Sequence, residues 1–157
     1  MGVVIRVCKH ARTLEAFRDG VCVLRCVVSL GSGANDGPKR REGDGRTPEG
    51  RYRVCTKNVS SRFFRALGLS YPNAQDARAA LARGEIDEAT CLRLVRAEEE
   101  GRRPDWNTPL GGFIMLHGEH PQGREGDWTA GCVALANADM ARLFALCALG
   151  DCVVIAP

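Results

Sequence analysis

Residues 111–137 read GGFIMLHGEHPQGREGDWTAGCVALAN, and the rest of the chain is read outward from them. Phe113, Ile114, Met115 and Leu116 stand in a row behind two glycines, the pattern of a buried strand. His117 follows at the strand's end, where side chains leave the core and face a cleft. A polar, Gly-rich loop then leads to Thr129-Ala130-Gly131-Cys132. Gly131 lets the backbone bend sharply just before the cysteine. A thiol needs a base to become a thiolate at neutral pH, and imidazole suits that task. Cys132 and His117 are therefore expected to form a nucleophile–base pair for acyl transfer. The backbone N–H groups of Gly131 and Cys132 are the expected oxyanion donors.

The same residues admit other readings. Cys132 is one cysteine among eight, and a free cysteine is often a small core residue. His117 could be a core histidine at a strand end. His117 and His120, with Glu119, Asp127 and Cys132 nearby in sequence, include zinc-type ligands, but the spacing matches no familiar site, so no metal and no cofactor are expected. A catalytically inert binding module is the third possibility. Trp128 is expected to shape the pocket. Thr129 either positions the cysteine loop or bonds substrate, His120 reads as an exposed loop residue, and Asp127 is a weak third member for the pair.

Bulk properties narrow the classes. At 157 residues a single domain over residues 1–157 is expected. A hydrophobic content of 45% and a charged content of 26% fit a globular chain. The net charge of +3 is too small to argue for nucleic acid. Lys39-Arg40-Arg41, the densest basic cluster, sits among glycines and reads as a solvated turn. No stretch approaches the length of apolar residues that a membrane helix needs. The N-terminus MGVVIRVCKH carries no signal-peptide pattern. The cysteines form no CxxC pair, and five of them lie among Val, Leu and Ile, so free thiols are expected rather than disulfides.

Along the chain, VVIRVCK (3–9) reads as a first strand. Residues 12–17 and 21–29 read as a hairpin turning at Asp19-Gly20. The segment 31–50 is expected to be loop. Alternation over 51–57 predicts a half-exposed strand with Tyr52, Val54 and Thr56 on one face. Residues 59–103 lose strand character, and helices are predicted near Arg62–Leu67, at Ala74–Arg83 and at Asp87–Glu100. Asn73 is the expected N-cap of the second, and Gly84 and Gly101 are stops. Met140, Leu143, Phe144 and Cys147 form one apolar stripe of a further helix at about 138–149, with Asn137 as N-cap and Gly150 as terminator. DCVVIA (151–156) reads as a closing strand.

His117-Gly118, the loop 119–128 and Thr129-x-Gly131-Cys132-Val133 resemble the signature of the L,D-transpeptidase catalytic domain (YkuD-type) family. Gly43-Asp44-Gly45-Arg46-Thr47-Pro48-Glu49-Gly50 resembles that family's Gly-x-x-x-Thr-Pro-x-Gly segment, which borders the substrate cleft. Ala130 stands where the family often has His, and Ala134 where it often has Arg or Asn. The resemblance implies a mainly β fold, a YkuD-like sandwich or barrel, with a helical insert at about 59–103. It implies a thioester on Cys132, formed from a peptidoglycan stem peptide and passed to an amine of a second stem. With water as acceptor, the same site would act as an L,D-carboxypeptidase. It implies that the carbonyl of Gly118 holds the tautomer of His117, and that Thr47, Tyr52, Trp128 and Thr129 contact substrate. The expected partners are peptidoglycan stem peptides, with no nucleic acid and no membrane span, and the chain is expected to be a monomer. The resemblance places it outside the cytoplasm, although the visible sequence leaves the cytoplasm open.

Overall fold

The computed structural model describes residues 2–157. The chain opens with β1 (Val3–Cys8), β2 (Thr13–Arg18) and β3 (Val21–Val27), an antiparallel meander. Asp19 and Gly20 both take positive φ, 51° and 77°, which is the turn a Asp-Gly pair favours between twisted strands. After a single 3-10 turn at Ala34–Asp36, β4 (Gly50–Ser61) and β5 (Phe64–Leu69) form a long hairpin. Two helices follow, α1 (Ala74–Ala82) and α2 (Glu88–Glu99). Then come β6 (Met115–His117), β7 (Val133–Ala134), α3 (Asn137–Leu146) and β8 (Cys152–Ala156).

The strands form one eight-stranded sheet in the order β3-β2-β1-β8-β4-β5-β6-β7. The last strand in sequence lies near the middle, parallel to β1 and antiparallel to β4. The chain after β3 then reaches across to the far end of the sheet. Ser29 bridges Ala134 and Gly31 bridges Thr129, so the sheet curls until its two ends meet. Ile5, Leu14, Leu67, Leu116, Val133 and Val153 are essentially buried inside the curl. The fold is thus mainly β, as expected.

Several elements differ from their sequence reading. Arg62–Leu67 is not a helix. Arg62 and Phe63 form the hairpin tip and Phe64–Leu69 is β5, paired to β4 on one side and β6 on the other. Helix-compatible Arg, Ala and Leu are overridden by the two ladders, since tertiary pairing outweighs a propensity of a few tenths of a kcal/mol per residue (~0.5). The helical part of the insert is therefore confined to α1 and α2. β4 runs to Ser61, past the expected end at residue 57. The strand expected at 113–116 begins only at Met115, because Phe113 has φ 57°.

Asn73 caps α1 as read, accepting from the Asp76 N–H at 2.8 Å while the Asp76 carboxylate accepts from the Asn73 N–H at 3.0 Å. The α3 cap is Ala136, without a side-chain bond. Asn137 is diverted, because its Oδ1 accepts from the Glu119 N–H at 2.8 Å. α3 ends at Leu146, ahead of Gly150, where Cys147 turns extended. Met140, Leu143 and Cys147 are buried as the stripe requires.

Candidate active site

β6 is three residues long and lies between β5 and β7, with Leu116 opposite both Leu67 and Val133. Leu116 and Val133 are fully buried, so the residues on either side of them face the opposite way. His117 leaves that second face at the end of β6. Cys132, one residue before β7, precedes Val133 and shares the His117 face.

The backbone holds the sulfur. Cys132 Sγ donates to the Phe113 C=O at 3.3 Å and accepts from the Met115 N–H at 3.4 Å. Phe113 provides that carbonyl from a left-handed conformation, φ 57°, which is costly for a residue with a large side chain. Among the described residues the sulfur's partners are these two backbone groups, and no hydrogen bond joins it to the His117 ring. Burial pushes the Cys132 thiol up to about 11, against smaller opposing effects of the Met115 N–H and the Lys39 charge. The thiol is therefore protonated at rest at neutral pH.

The cysteine loop is tied from within. Thr129 Oγ1 donates to the Cys132 C=O at 2.6 Å and accepts from the Gly131 N–H at 3.1 Å. The Thr129 backbone bonds to Leu30 and Ser32 on the strap after β3. Thr129 thus ties the cysteine loop from within. Gly131 has φ 138°, and a Cβ there would stand 2.7 Å from the Arg46 carbonyl oxygen, so only glycine fits under the segment 43–50. The Gly131 N–H is spent on Thr129, which removes it as an oxyanion donor in this conformation. No described residue accepts from the Cys132 N–H.

His117 is 3% exposed. Its Nδ1 lies 2.8 Å from the Gly118 carbonyl. A carbonyl only accepts, so Nδ1 carries the proton and Nε2 is left with a free lone pair. Burial lowers the His117 pKa, and the Gly118 bond partly opposes that. Gly118 is itself pinned, donating to the Phe63 C=O at 2.7 Å. A Cβ there would meet Asn137 Oδ1 at 2.3 Å.

Aromatic rings enclose the imidazole. Phe63, from the β4–β5 tip, stacks on it with centroids 4.5 Å apart and planes 23° from parallel. Trp128 lies 5.6 Å from the His117 ring and 5.3 Å from Phe63. His120 is buried rather than exposed, edge-on to Trp128 at 5.1 Å. Phe63 was hidden in the sequence by the helical reading of its segment. The Ser-Ser pair and the two adjacent aromatics after an alternating strand were the available signal.

Thr47 and Tyr52 are not brought to this surface as contacts. Thr47 is fully buried, with Oγ1 accepting from the Gly31 N–H at 3.0 Å. Tyr52 is buried and its hydroxyl donates to Asp76 at 2.9 Å. Both brace the fold from beneath. Asp127 is an anchor, paired with Arg12 at 2.6 Å and accepting from the Leu30 N–H at 3.1 Å. Lys39 is no solvated turn residue, since it is buried and bonded to Asp44 at 3.0 Å. Among the described residues no group of three or more His, Cys, Asp and Glu side chains is arranged to hold a metal ion.

Solved structures share this architecture. The helical cell shape determining protein Pgp2 of Campylobacter jejuni superposes with a TM-score of 0.65 at 21% identity, over 98% of this chain and 47% of Pgp2. An L,D-transpeptidase of Xylanimonas cellulosilytica gives 0.55 at 20% identity, over 98% of this chain and 60% of that one. At such identities the likeness is one of fold. YafK of Escherichia coli (strain K12) is 43% identical over 42 residues, which are 26% of this chain and 17% of YafK. The chain thus spans only part of the length of the relatives it resembles. The family described as the L,D-transpeptidase catalytic domain (YkuD) matches residues 2–155, nearly the whole chain, and to that family this chain belongs.

Proposed function

We propose that this chain catalyses L,D-transpeptidation on peptidoglycan stem peptides through a thioester on Cys132. The observation that carries the reading is the state of the two groups at rest. A protonated sulfur is held between the Phe113 carbonyl and the Met115 amide, on the same face as an imidazole whose Nε2 is free. In the proposed first step the sulfur leaves the Phe113 carbonyl and turns toward that nitrogen. His117 takes the thiol proton, and the sulfur attacks the amide carbonyl of the donor stem. The Cys132 N–H stabilises the developing oxyanion. His117 then returns the proton to the departing amine, leaving the thioester. An amine of a second stem attacks it, restores the thiol and completes a cross-link. Trp128 and Phe63 form the apolar wall that keeps water from the imidazole.

Water as acceptor would make the same site an L,D-carboxypeptidase. The substrate places the working protein outside the cytoplasm. Among the described residues no helix is long and apolar enough to cross a membrane. The chain acts as a monomer.

Intact mass after incubation with a carbapenem tests the nucleophile. A single covalent adduct is expected, absent in Cys132→Ala and strongly slowed in His117→Ala. An adduct that persists in Cys132→Ala would overturn the reading. Incubation with a disaccharide-tetrapeptide then separates dimer formation from hydrolysis.

A further inference from the structure

A cavity of about 660 Å³ lies where α1 and the end of α2 meet β4 and β8, and it shares no lining residue with the Cys132 loop. We propose that this cavity binds a phosphate-type oxyanion, held by Arg51, Arg53 and Arg78 and by the amides that open α1. The proposal is independent of the thiol chemistry.

β4 alternates, with Tyr52 and Val54 buried and Arg51 and Arg53 on the opposite, exposed face. Two bonds fix the start of α1 beside that face. Asn73 Nδ2 donates to the Arg51 C=O at 3.0 Å, and the Arg53 N–H donates to Ser70 Oγ at 2.9 Å. Arg78, one turn into α1, joins the lining from the helix. Among the described residues Arg51, Arg53 and Arg78 form no salt bridge. Arg51 rests against Cys152 Sγ at 3.6 Å and Arg53 reaches the Gly150 carbonyl at 3.4 Å, and neither partner is a carboxylate. Arg102 also lines the cavity, but it is paired with Glu100. Glu98 is the one carboxylate in the lining.

The N-cap Asn73 takes the Asp76 N–H, and no described residue accepts from the N–H groups of Ala74 and Gln75. The first turn of a nine-residue helix, whose Asp76 carboxylate is engaged by the Asn73 N–H and the Tyr52 hydroxyl, thus lines one cavity with three arginines that form no ion pair. Like charges gathered in this way repel one another until an anion sits among them. Guanidinium forks and helix-opening amides are the donors that oxyanions take. A tetrahedral phosphate presents oxygens on several sides and can meet donors from β4 and α1 together. A planar carboxylate offers two oxygens in one plane and can meet only part of the set.

The test is a titration of the full ¹⁵N-labelled chain with inorganic pyrophosphate, with malonate as the carboxylate arm. Saturable one-site shifts centred on the Ala74 and Gln75 amides are expected, with weaker binding of malonate. In the double variant Arg51→Gln/Arg78→Gln the affinity should fall at least about tenfold, the loss of one charge-assisted hydrogen bond or more. Carbapenem acylation of Cys132 should stay at the parent rate. If the double variant does not fold, Arg78→Gln, an exposed position on α1, makes the same comparison. Shifts spread without saturation over surface arginines, an affinity unchanged in the variants, or malonate bound as tightly as pyrophosphate would each overturn the proposal. Pyrophosphate binding by a chain that carbapenem fails to acylate would leave this site standing and remove the thiol reading.

Discussion

Thr129 shows how one hydroxyl sets the geometry of the bend that carries Cys132. Its oxygen donates to the Cys132 carbonyl and accepts from the Gly131 amide, closing the bend from both sides. Thr129→Val keeps the volume and removes both bonds. It should lower stability by about 1–3 kcal/mol, because the buried carbonyl and amide lose their partner. The acylation rate should fall about tenfold or more with little change in the concentration dependence, since the sulfur is misplaced while the cleft is not. Denaturant midpoints and acylation kinetics check both. A stable variant with the parent rate would mean that Thr129 does not hold the sulfur in place. The Ala130 and Ala134 substitutions for residues typical of the family are compatible with this brace, because neither side chain enters it.

At the scale of elements, the β4–β5 hairpin matters most to the site, since its tip carries Phe63 over the imidazole. Burial holds the His117 pKa below its ordinary 6.5. A depressed histidine binds fewer protons folded than unfolded, so acidification through 6.5 and below costs stability as well as the free lone pair. Activity should therefore hold through neutral pH and drop on the acid side of 6.5. Phe63→Ala admits water to the ring, so the His117 pKa should rise toward 6.5 and the acid limb of activity should move up with it. An NMR titration of the His117 ring, beside the pH profile of acylation, makes the measurement. An unmoved pKa would show that other groups bury the ring.

Over the whole molecule, the curled sheet buries thiols that no disulfide uses. All eight cysteines are free. Burial raises Cys26, Cys55 and Cys132 to about 11 and Cys147 to about 12, from an ordinary 9.0. Unfolded, these groups would ionise first, so above pH 9 the native state binds more protons than the unfolded state. Stability must then fall as pH rises beyond 9, and acidification below 9 recovers all of it. Urea midpoints at pH 8 and pH 10.5 should show that loss, smaller in Cys147→Ala than in the parent after each is referenced to its own value at pH 8. An equal loss in both would mean that Cys147 is ionised or hydrated in the fold.

The sequence by itself determined the local signals. The Asp-Gly hairpin, the Asn73 cap and the α3 stripe follow from turn, cap and periodicity rules that act over a few residues, whereas the pairing of His117 with Cys132 was read from the residue types and from the resemblance of their motif to the family signature. Tertiary structure decided the rest. β5 was read as helix because its local propensity points that way, and only the ladders from β4 and β6 reverse it. Thr47 and Tyr52 looked available in the chain but are buried with satisfied hydroxyls. Phe63 and the Phe113 carbonyl reach His117 and Cys132 only because a curled sheet brings positions about fifty residues apart, and a strained bend, to one face. Contacts of that kind depend on strand order and curl, which no short window of sequence encodes.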